Sequence, residues 1–266
     1  MFSILLSVYC KEHPKYLFQA LHSIWYEQVL KPNQIVLVQD GPLTPELDSE
    51  ITRWQSELGE VLTLVTLPQN VGLAAALNRG LQHCKYDLVA RMDTDDIAIP
   101  ERFKLQVDFM QAHPEVSVSS GFIEEWNSDL SVQLSSRSLP LHHNEIVKFA
   151  KIRSPISHPA SIFRKSVILD VGGYPDIYPE DHLLWVRVLQ AGHKLANIPQ
   201  VLLRMRTGND FITRRGYKFL KGEIKSYKIM YRENFLNKRQ LISALLLKSF
   251  VRLSPKSLKI WLYKKR

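Results

Sequence analysis

Residues 86–97, YDLVARMDTDDI, run from an apolar stretch into three carboxylates, Asp93, Asp95 and Asp96, within four positions. YDLVARM has the make-up of a buried strand. Like charges this close repel and raise one another's pKa, so a solvated loop gains nothing from them. A cation at the strand end resolves the repulsion, because oxygen ligands satisfy Mg2+ or Mn2+ while leaving positions open for phosphate oxygens. The plainer reading, an N-cap and acidic first turn ahead of IPERF, needs one or two acids and not three. Carboxylates alone also suit calcium, but the EF-hand loop pattern is absent.

Around this stretch the chain alternates strands and helices. FSILLSVY, QIVLVQD, VLTLVTL and YDLVARMD read as strands. PKYLFQALHSIWYEQ puts Leu17, Leu21, Ile24 and Trp25 on one helical face; Leu47, Ile51, Trp54 and Leu58 keep the same spacing, and VGLAAALNRGLQHC gives a third helix. Such alternation predicts an α/β fold with a mostly parallel sheet flanked by helices. Ligands of open parallel sheets gather beyond the carboxyl ends of the strands. Polar groups fall there three times: in SVYCKEHP, at Asp40 in VQDGP, and in RMDTDD. Further on, PERFKLQVDFMQAHPE predicts a helix with Phe103, Val107 and Met110 inward. Residues 116–163 read as short strands mixed with loops, and DVGGYPDIYPEDHLLWVRVLQAGHKL as a glycine-marked turn, an acid pair and an amphipathic helix containing Leu184 and Val188. No Walker-type loop occurs, and GLAAALNRG lacks the G-x-G-x-x-G spacing, which weakens NAD and ATP-kinase readings.

The 266 residues are 45% hydrophobic and 23% charged, enough apolar material for one large core or two modest ones. No apolar run approaches the ~20 residues of a transmembrane helix, and the first residues lack a basic leader, so a cytoplasmic protein is expected. Cys10 and Cys84 fit neither a disulfide framework nor a metal spacing and are expected to be buried free thiols. The net charge of +9 is concentrated at one end: nine bases and no acid follow Glu233, and the remaining 26 bases match the 26 acids. A neutral body argues against a nucleic-acid-binding groove.

Taken in order, SILLSVYCKEHPKYLFQALHSI, QIVLVQDGP, NVGLAAALNRGL, ARMDTDDIAIPERFKLQ, ISHPASIFRK and GGYPDIYPEDHLLWVRVLQAG resemble the inverting GT-A glycosyltransferases of family two. Each motif alone is weak, while their order and spacing over most of the chain are specific. The resemblance implies a GT-A domain with a Rossmann-like sheet over residues 1–233, its nucleotide-sugar half over 1–110 and its acceptor half over 111–233, followed by a C-terminal helical tail over 234–266. It implies that Ser7, Tyr9 and Asp40 line a uridine pocket, though Asp40 before Gly41-Pro42 reads equally as a turn residue. Asp93 and Asp95 correspond to the D-x-D pair that holds the ribose and the metal, Mn2+ or Mg2+, with the direct ligand among Asp93, Asp95 and Asp96 left open.

By the same resemblance Asp181 is the general base that takes the acceptor's proton, and Glu180 orients it or holds the acceptor. An isolated acid pair opening a helix would otherwise only complement the helix dipole. His158, by itself an ordinary structural histidine, is implied near the acceptor and diphosphate. Arg102 is offered as a further donor contact. LLRMRTGNDFITRRGY, with Arg204, Arg206, Arg214 and Arg215, occupies the place of a flexible segment that closes over the diphosphate, and Arg206 is the choice there; a charge run is otherwise a solvated face. In the tail, Ile242, Leu245, Leu246, Ser249 and Leu253 form one helical stripe with Lys248 and Arg252 off it, the pattern of an interfacial helix. The alternative is a helix packed on the body with a basic outer face.

These readings predict transfer of a hexose, galactose or glucose favoured, from a UDP-sugar to an undecaprenyl-diphosphate-linked saccharide in bacterial surface polysaccharide synthesis. They predict a protein peripheral on the inner face of the cell membrane. Two rivals are a nucleotidyltransferase, which would want a glycine-rich basic loop where LSVYCKEHPKY stands, and a non-catalytic lectin-like module, which would have little use for the PED acids.

Overall fold

A computed structural model describes residues 1–207 and 216–255. Strands β1 (Ser3–Val8), β2 (Gln34–Gln39), β3 (Leu62–Thr66) and β4 (Leu88–Arg91) are the four expected, and they lie parallel in the order β3-β2-β1-β4. Helices α1 (Pro14–Trp25), α2 (Pro45–Leu58) and α3 (Leu73–His83) connect them. Local chemistry sets their starts. Pro45 opens α2 with its φ preset, Thr44 caps it by accepting from the Leu47 N–H, and Glu46 and Asp48 complement the dipole. β2 is buried on both faces, which is why it reads as a continuous apolar run.

The second half adds β5 (Ile97–Ala98), α4 (Arg102–Ala112), β6 (Val116–Trp126), β7 (Gln133–Arg137), α5 (His143–Ala150), β8 (Ile162–Arg164), α6 (Lys165–Asp170), α7 (Asp181–Gln190), β9 (Lys194–Arg206), α8 (Tyr217–Arg232) and α9 (Lys238–Leu253). It turns the sheet mixed: β8 lies antiparallel between β4 and β6, β6 runs parallel to β9, and β5 closes antiparallel on β9. Two expectations change here. The stretch from Val116 holds a long strand, disguised because Ser117, Ser119 and Ser120 are buried; Ser120 Oγ donates to Asn197 Oδ1 at 2.6 Å. Arg204 and Arg206 sit in β9 and not in a flexible segment, while Arg214 and Arg215 lie outside the described residues.

Side-chain alternation along β1 sends Ile4 and Leu6 to one core and Leu5 to the other, on opposite faces of the sheet. A third cluster joins Ala150, Leu183, Val186, Tyr227, Met230, Leu236 and Ala244, so α9 packs on α5, α7 and α8. The expected boundary at 233/234 therefore does not separate a tail from a body among the described residues. The orientation of α9 also corrects the sequence reading. Lys248 and Arg252 face inward, 8% and 5% exposed, and bind Glu223 of α8: Lys248 Nζ lies 3.0 Å from Oε1, and Arg252 donates through Nε at 2.8 Å and Nη2 at 2.9 Å. Leu246, Phe250 and Leu253 point out, 68%, 60% and 65% exposed.

Truncation after Asn237 leaves the buried Glu223 carboxylate without both cations, which is expected to cost about 3–5 kcal/mol. Urea denaturation of the truncated and full-length chains measures it, and an unchanged midpoint would contradict the packing of α9.

Candidate active site

β4 ends at Arg91, and the chain turns through Asp93, Asp95 and Asp96, whose candidate ligand oxygens all lie within 4.8 Å of one another. Asp93 is ion-paired with Arg91. Asp96 is fully buried; its Oδ1 accepts from the Arg206 N–H at 2.9 Å, and its Oδ2 has no protein partner. Burial, then the charges of Asp95 and Asp93, push its pKa well above the ordinary carboxyl range. An unpartnered buried oxygen among crowded carboxylates fits a hard divalent cation, with Asp93, Asp95 and Asp96 as the donor set.

Beneath this turn lie two buried arginines. Burial opposes the charge on Arg91, but the Asp93 carboxylate outweighs it and raises the pKa. Arg91 Nε and Nη1 have no protein partner, and Arg91 lines the adjoining pocket. Arg102, expected as a donor contact, is instead buried away from that pocket: it donates to the Arg91 carbonyl at 2.6 Å and to Gln106 Oε1 at 3.0 Å. It braces the turn from α4.

The pocket, about 330 Å3, is lined by Arg91, Asp93, Asp95, Asp96 and Arg206 and also by His158, Glu180 and Asp181. Asp181 is the first residue of α7, half-buried, and accepts from Ser154 Oγ at 2.7 Å. Glu180 is buried, and desolvation followed by the Asp181 charge raises its pKa to about 7. His158 Nδ1 lies 3.6 Å from Glu180 Oε1 and Nε2 lies 3.3 Å from the Tyr174 hydroxyl. Burial, then Arg91, holds this histidine well below its ordinary pKa, so it faces Glu180 as a neutral ring and the contact is no ion pair.

Ser7, near the end of β1, and Tyr9, just past it, are half-buried, and the Ser7 carbonyl accepts from Thr94 Oγ1 beyond the end of β4. Asp40 anchors the loop that follows β3. It is buried, accepting from the Val71 N–H at 2.7 Å, the Gly72 N–H at 3.1 Å and Asn70 Nδ2 at 3.0 Å, so the turn reading is the one its geometry supports. Arg206 stacks over Tyr16 at 4.3 Å and donates to Gln19, the Ser128 carbonyl and the Asp95 carbonyl, which ties β9 to the acidic turn. Cys10 is exposed, contrary to expectation, and Cys84 is buried. Sequence reasoning gave no role to Arg91, Ser154, Arg153 or Glu223. Arg91 was signalled by its place against three acids; the others meet the pocket only through tertiary packing.

The profile of the family described as Glycosyl transferase family 2 matches residues 3–172. The chain is 42% identical to the amylovoran biosynthesis glycosyltransferase AmsE of Erwinia amylovora over 231 residues, covering 86% of this chain and 85% of that one. It is 39% identical to a UDP-Gal:alpha-D-GlcNAc-diphosphoundecaprenol beta-1,3-galactosyltransferase of Escherichia coli over 266 residues, covering 99% and 95%. The solved mannosyltransferase PcManGT from Pyrobaculum calidifontis, in complex with GDP-Man and Mn2+, shares the fold: TM-score 0.68 at 18% identity, covering 94% of this chain and 69% of that one.

Raising the Glu180 pKa from 4.5 to about 7 means that the unfolded chain sheds this proton first as pH climbs. The contribution to stability therefore falls between those values, by up to about 3 kcal/mol, and is flat above pH ~7. Glu180→Gln should escape that decline. Urea denaturation at pH 4.5 and pH 8 is expected to show the variant gaining on the native chain at the higher pH; a gap independent of pH would contradict the burial of the charge.

Proposed function

The chain belongs to glycosyl transferase family 2, and from that premise we propose that it transfers one hexose, with galactose or glucose favoured, from a UDP-sugar to a saccharide carried on undecaprenyl diphosphate, inverting the anomeric centre. The observation that carries this reading is the pocket itself, in which the carboxylate cluster and the Glu180–Asp181 pair share one lining. Asp93, Asp95 and Asp96 are the residues that would hold Mn2+ or Mg2+. That cation, when bound, offsets the charge gathering on the departing diphosphate.

Asp181 takes the proton from the acceptor hydroxyl as its oxygen attacks the anomeric carbon from the face opposite the nucleotide. Ser154 holds this carboxylate from the side at the start of α7. Glu180, with a pKa near 7, stays largely uncharged below neutrality and so spares the base a second negative charge. Ser7 and Tyr9 remain the candidates for the uridine end, and Arg206 stands beside the acidic turn as a candidate diphosphate contact. His158 offers a neutral ring on the acceptor side.

The acceptor is proposed from the Escherichia coli relative, whose name specifies a GlcNAc-diphosphoundecaprenol substrate. The exposed row of α9 supports a membrane seat for such an enzyme. Leu246, Phe250 and Leu253 project from the helix, and Lys148, Lys238 and Arg239 are exposed on α5 and α9. The row enters the boundary of an anionic leaflet while the bases meet its headgroups. No helix among the described residues is long and apolar enough to cross a membrane, which agrees with a peripheral seat. A nucleotidyltransferase has no observation in its favour.

Screening UDP-sugars for UDP release with Mn2+ and a synthetic GlcNAc-diphosphate-lipid acceptor tests the reaction. Asp181→Asn is expected to keep metal-dependent UDP binding by calorimetry while transfer falls ~100-fold or more; lost UDP binding would make Asp181 a donor contact instead. For the membrane seat, Leu246→Ser combined with Phe250→Ser should abolish co-sedimentation with anionic liposomes and leave the melting temperature unchanged. Undiminished sedimentation would remove α9 as the anchor.

A further inference from the structure

Beside the third core cluster, a groove of about 530 Å3 lies between α5 and α9. α5 and the turn after it contribute Lys148, Lys151 and Ile152, and α9 contributes Arg239, Ser243 and Leu247. None of these residues takes part in the chemistry placed at the acidic turn or the acid pair. Resting on the membrane seat read for α9, we propose that this groove binds one anionic phospholipid, whose phosphate lies on Lys148, Lys151 and Arg239 and whose acyl chain covers Ile152 and Leu247.

Charge selects the headgroup. Among the described residues no acid lines the groove, and none of its three bases is paired with a carboxylate. Glu145, a turn before Lys148 on α5, borders the adjoining hollow with Pro140 and Phe149 but not the groove itself. Lys148 and Arg239 are exposed and Lys151 is half-buried, so all three can turn toward a shared anion. A phosphate held by several charge-assisted hydrogen bonds gains geometric selectivity as well as affinity.

The apolar floor calls for the rest of the molecule. Ile152 is 52% and Leu247 49% exposed, whereas Ala150 and Ala244 nearby are buried in the cluster where α5 meets α9. A free phosphate covers neither of the exposed side chains. A lipid covers both while its headgroup meets the bases, which is the division of labour of interfacial segments. The chain's own end is a poorer occupant: positions 256–266 hold five bases and no acidic side chain, so their charge matches the rim instead of complementing it.

Position gives such a lipid a purpose. Leu247 follows Leu246 and stands three residues before Phe250 on α9, so the groove shares an edge with the outer row proposed to enter the leaflet. A lipid can therefore occupy it without leaving the bilayer. On the other side the groove backs onto the active-site pocket. Arg153 and Lys248, which line that pocket, directly follow Ile152 and Leu247, and the Tyr227 hydroxyl donates to the Ile152 carbonyl. A lipid held here fixes the depth and tilt at which the pocket meets the headgroups, as an acceptor anchored in the same leaflet requires.

Dihexanoyl-phosphatidylglycerol below its micelle concentration probes the groove without a bilayer, by calorimetry on the full-length chain. The native chain is expected to bind it more tightly than dihexanoyl-phosphatidylcholine and more tightly than inorganic phosphate. Lys148→Gln made with Lys151→Gln should weaken binding by ~10-fold or more, and Leu247→Gln by about 5-fold. Melting temperatures should not move, because these side chains are exposed or half-buried. Leu246→Ser with Phe250→Ser, which strips the outer row, should leave this binding intact while liposome sedimentation is lost. The seat and the lipid site therefore fail separately: undiminished sedimentation removes the seat, and the calorimetry still decides the groove. Equal affinity for the two lipids, affinity for inorganic phosphate equal to that for the lipid, or binding that the groove variants leave unchanged overturns the proposal. So does an absence of binding to the native chain, the result expected if the chain's own end fills the groove.

Discussion

The structure around the pocket depends on how three crowded carboxylates are balanced at the end of β4. Arg91, the last residue of that strand, pairs with Asp93. Arg102 reaches from α4 to the Arg91 carbonyl, and the Arg206 backbone N–H caps Asp96 from the end of β9. The sheet's parallel half, the helix that follows it and the strand that returns from the second half therefore converge on one charged turn. Buried charges are tolerated only when paired and hydrogen-bonded, so the balance also bears on where α4 starts and β9 ends.

The two acids at the start of α7 show the same physics on adjacent residues. Glu180 is enclosed beside a neutral histidine and becomes a weak acid, whereas Asp181 keeps solvent contact and a hydroxyl donor. Two neighbouring carboxyls thus meet quite different surroundings, one enclosed and one open to solvent. Sequence adjacency conceals the difference, because it arises from tertiary packing that brings His158 to Glu180 and Ser154 to Asp181 from the loop between α5 and β8.

What the sequence made legible follows from how local the cause is. The first four strands and three helices were readable because apolar period and capping act within a few residues. The acidic turn was readable because its oddity is written in four consecutive positions. β6 was not, since its buried serines erase the apolar pattern and Asn197, the partner of Ser120, is distant in the chain. Lys248 and Arg252 of α9 were misplaced for a similar reason, although the exposed Leu246 and Leu253 fit the expected apolar stripe. A helical projection assigns bases to water, and nothing local reveals that Glu223, 25 and 29 positions before Lys248 and Arg252, draws both inward. Arg102 shows the converse error: a base near acids suggests a ligand contact, yet it is consumed in supporting the backbone.

The two cysteines have a practical side. Cys10 is exposed just past the end of β1, close in sequence to Ser7 and Tyr9, whereas Cys84 is buried and its thiol is pushed up to about 12 by burial. With only two thiols in the chain and one of them inert, a maleimide dye or spin label attaches at a single place without any engineering. A reporter there sits one residue past Tyr9, a proposed uridine contact, and the native sequence thus carries its own attachment point for following donor association by fluorescence.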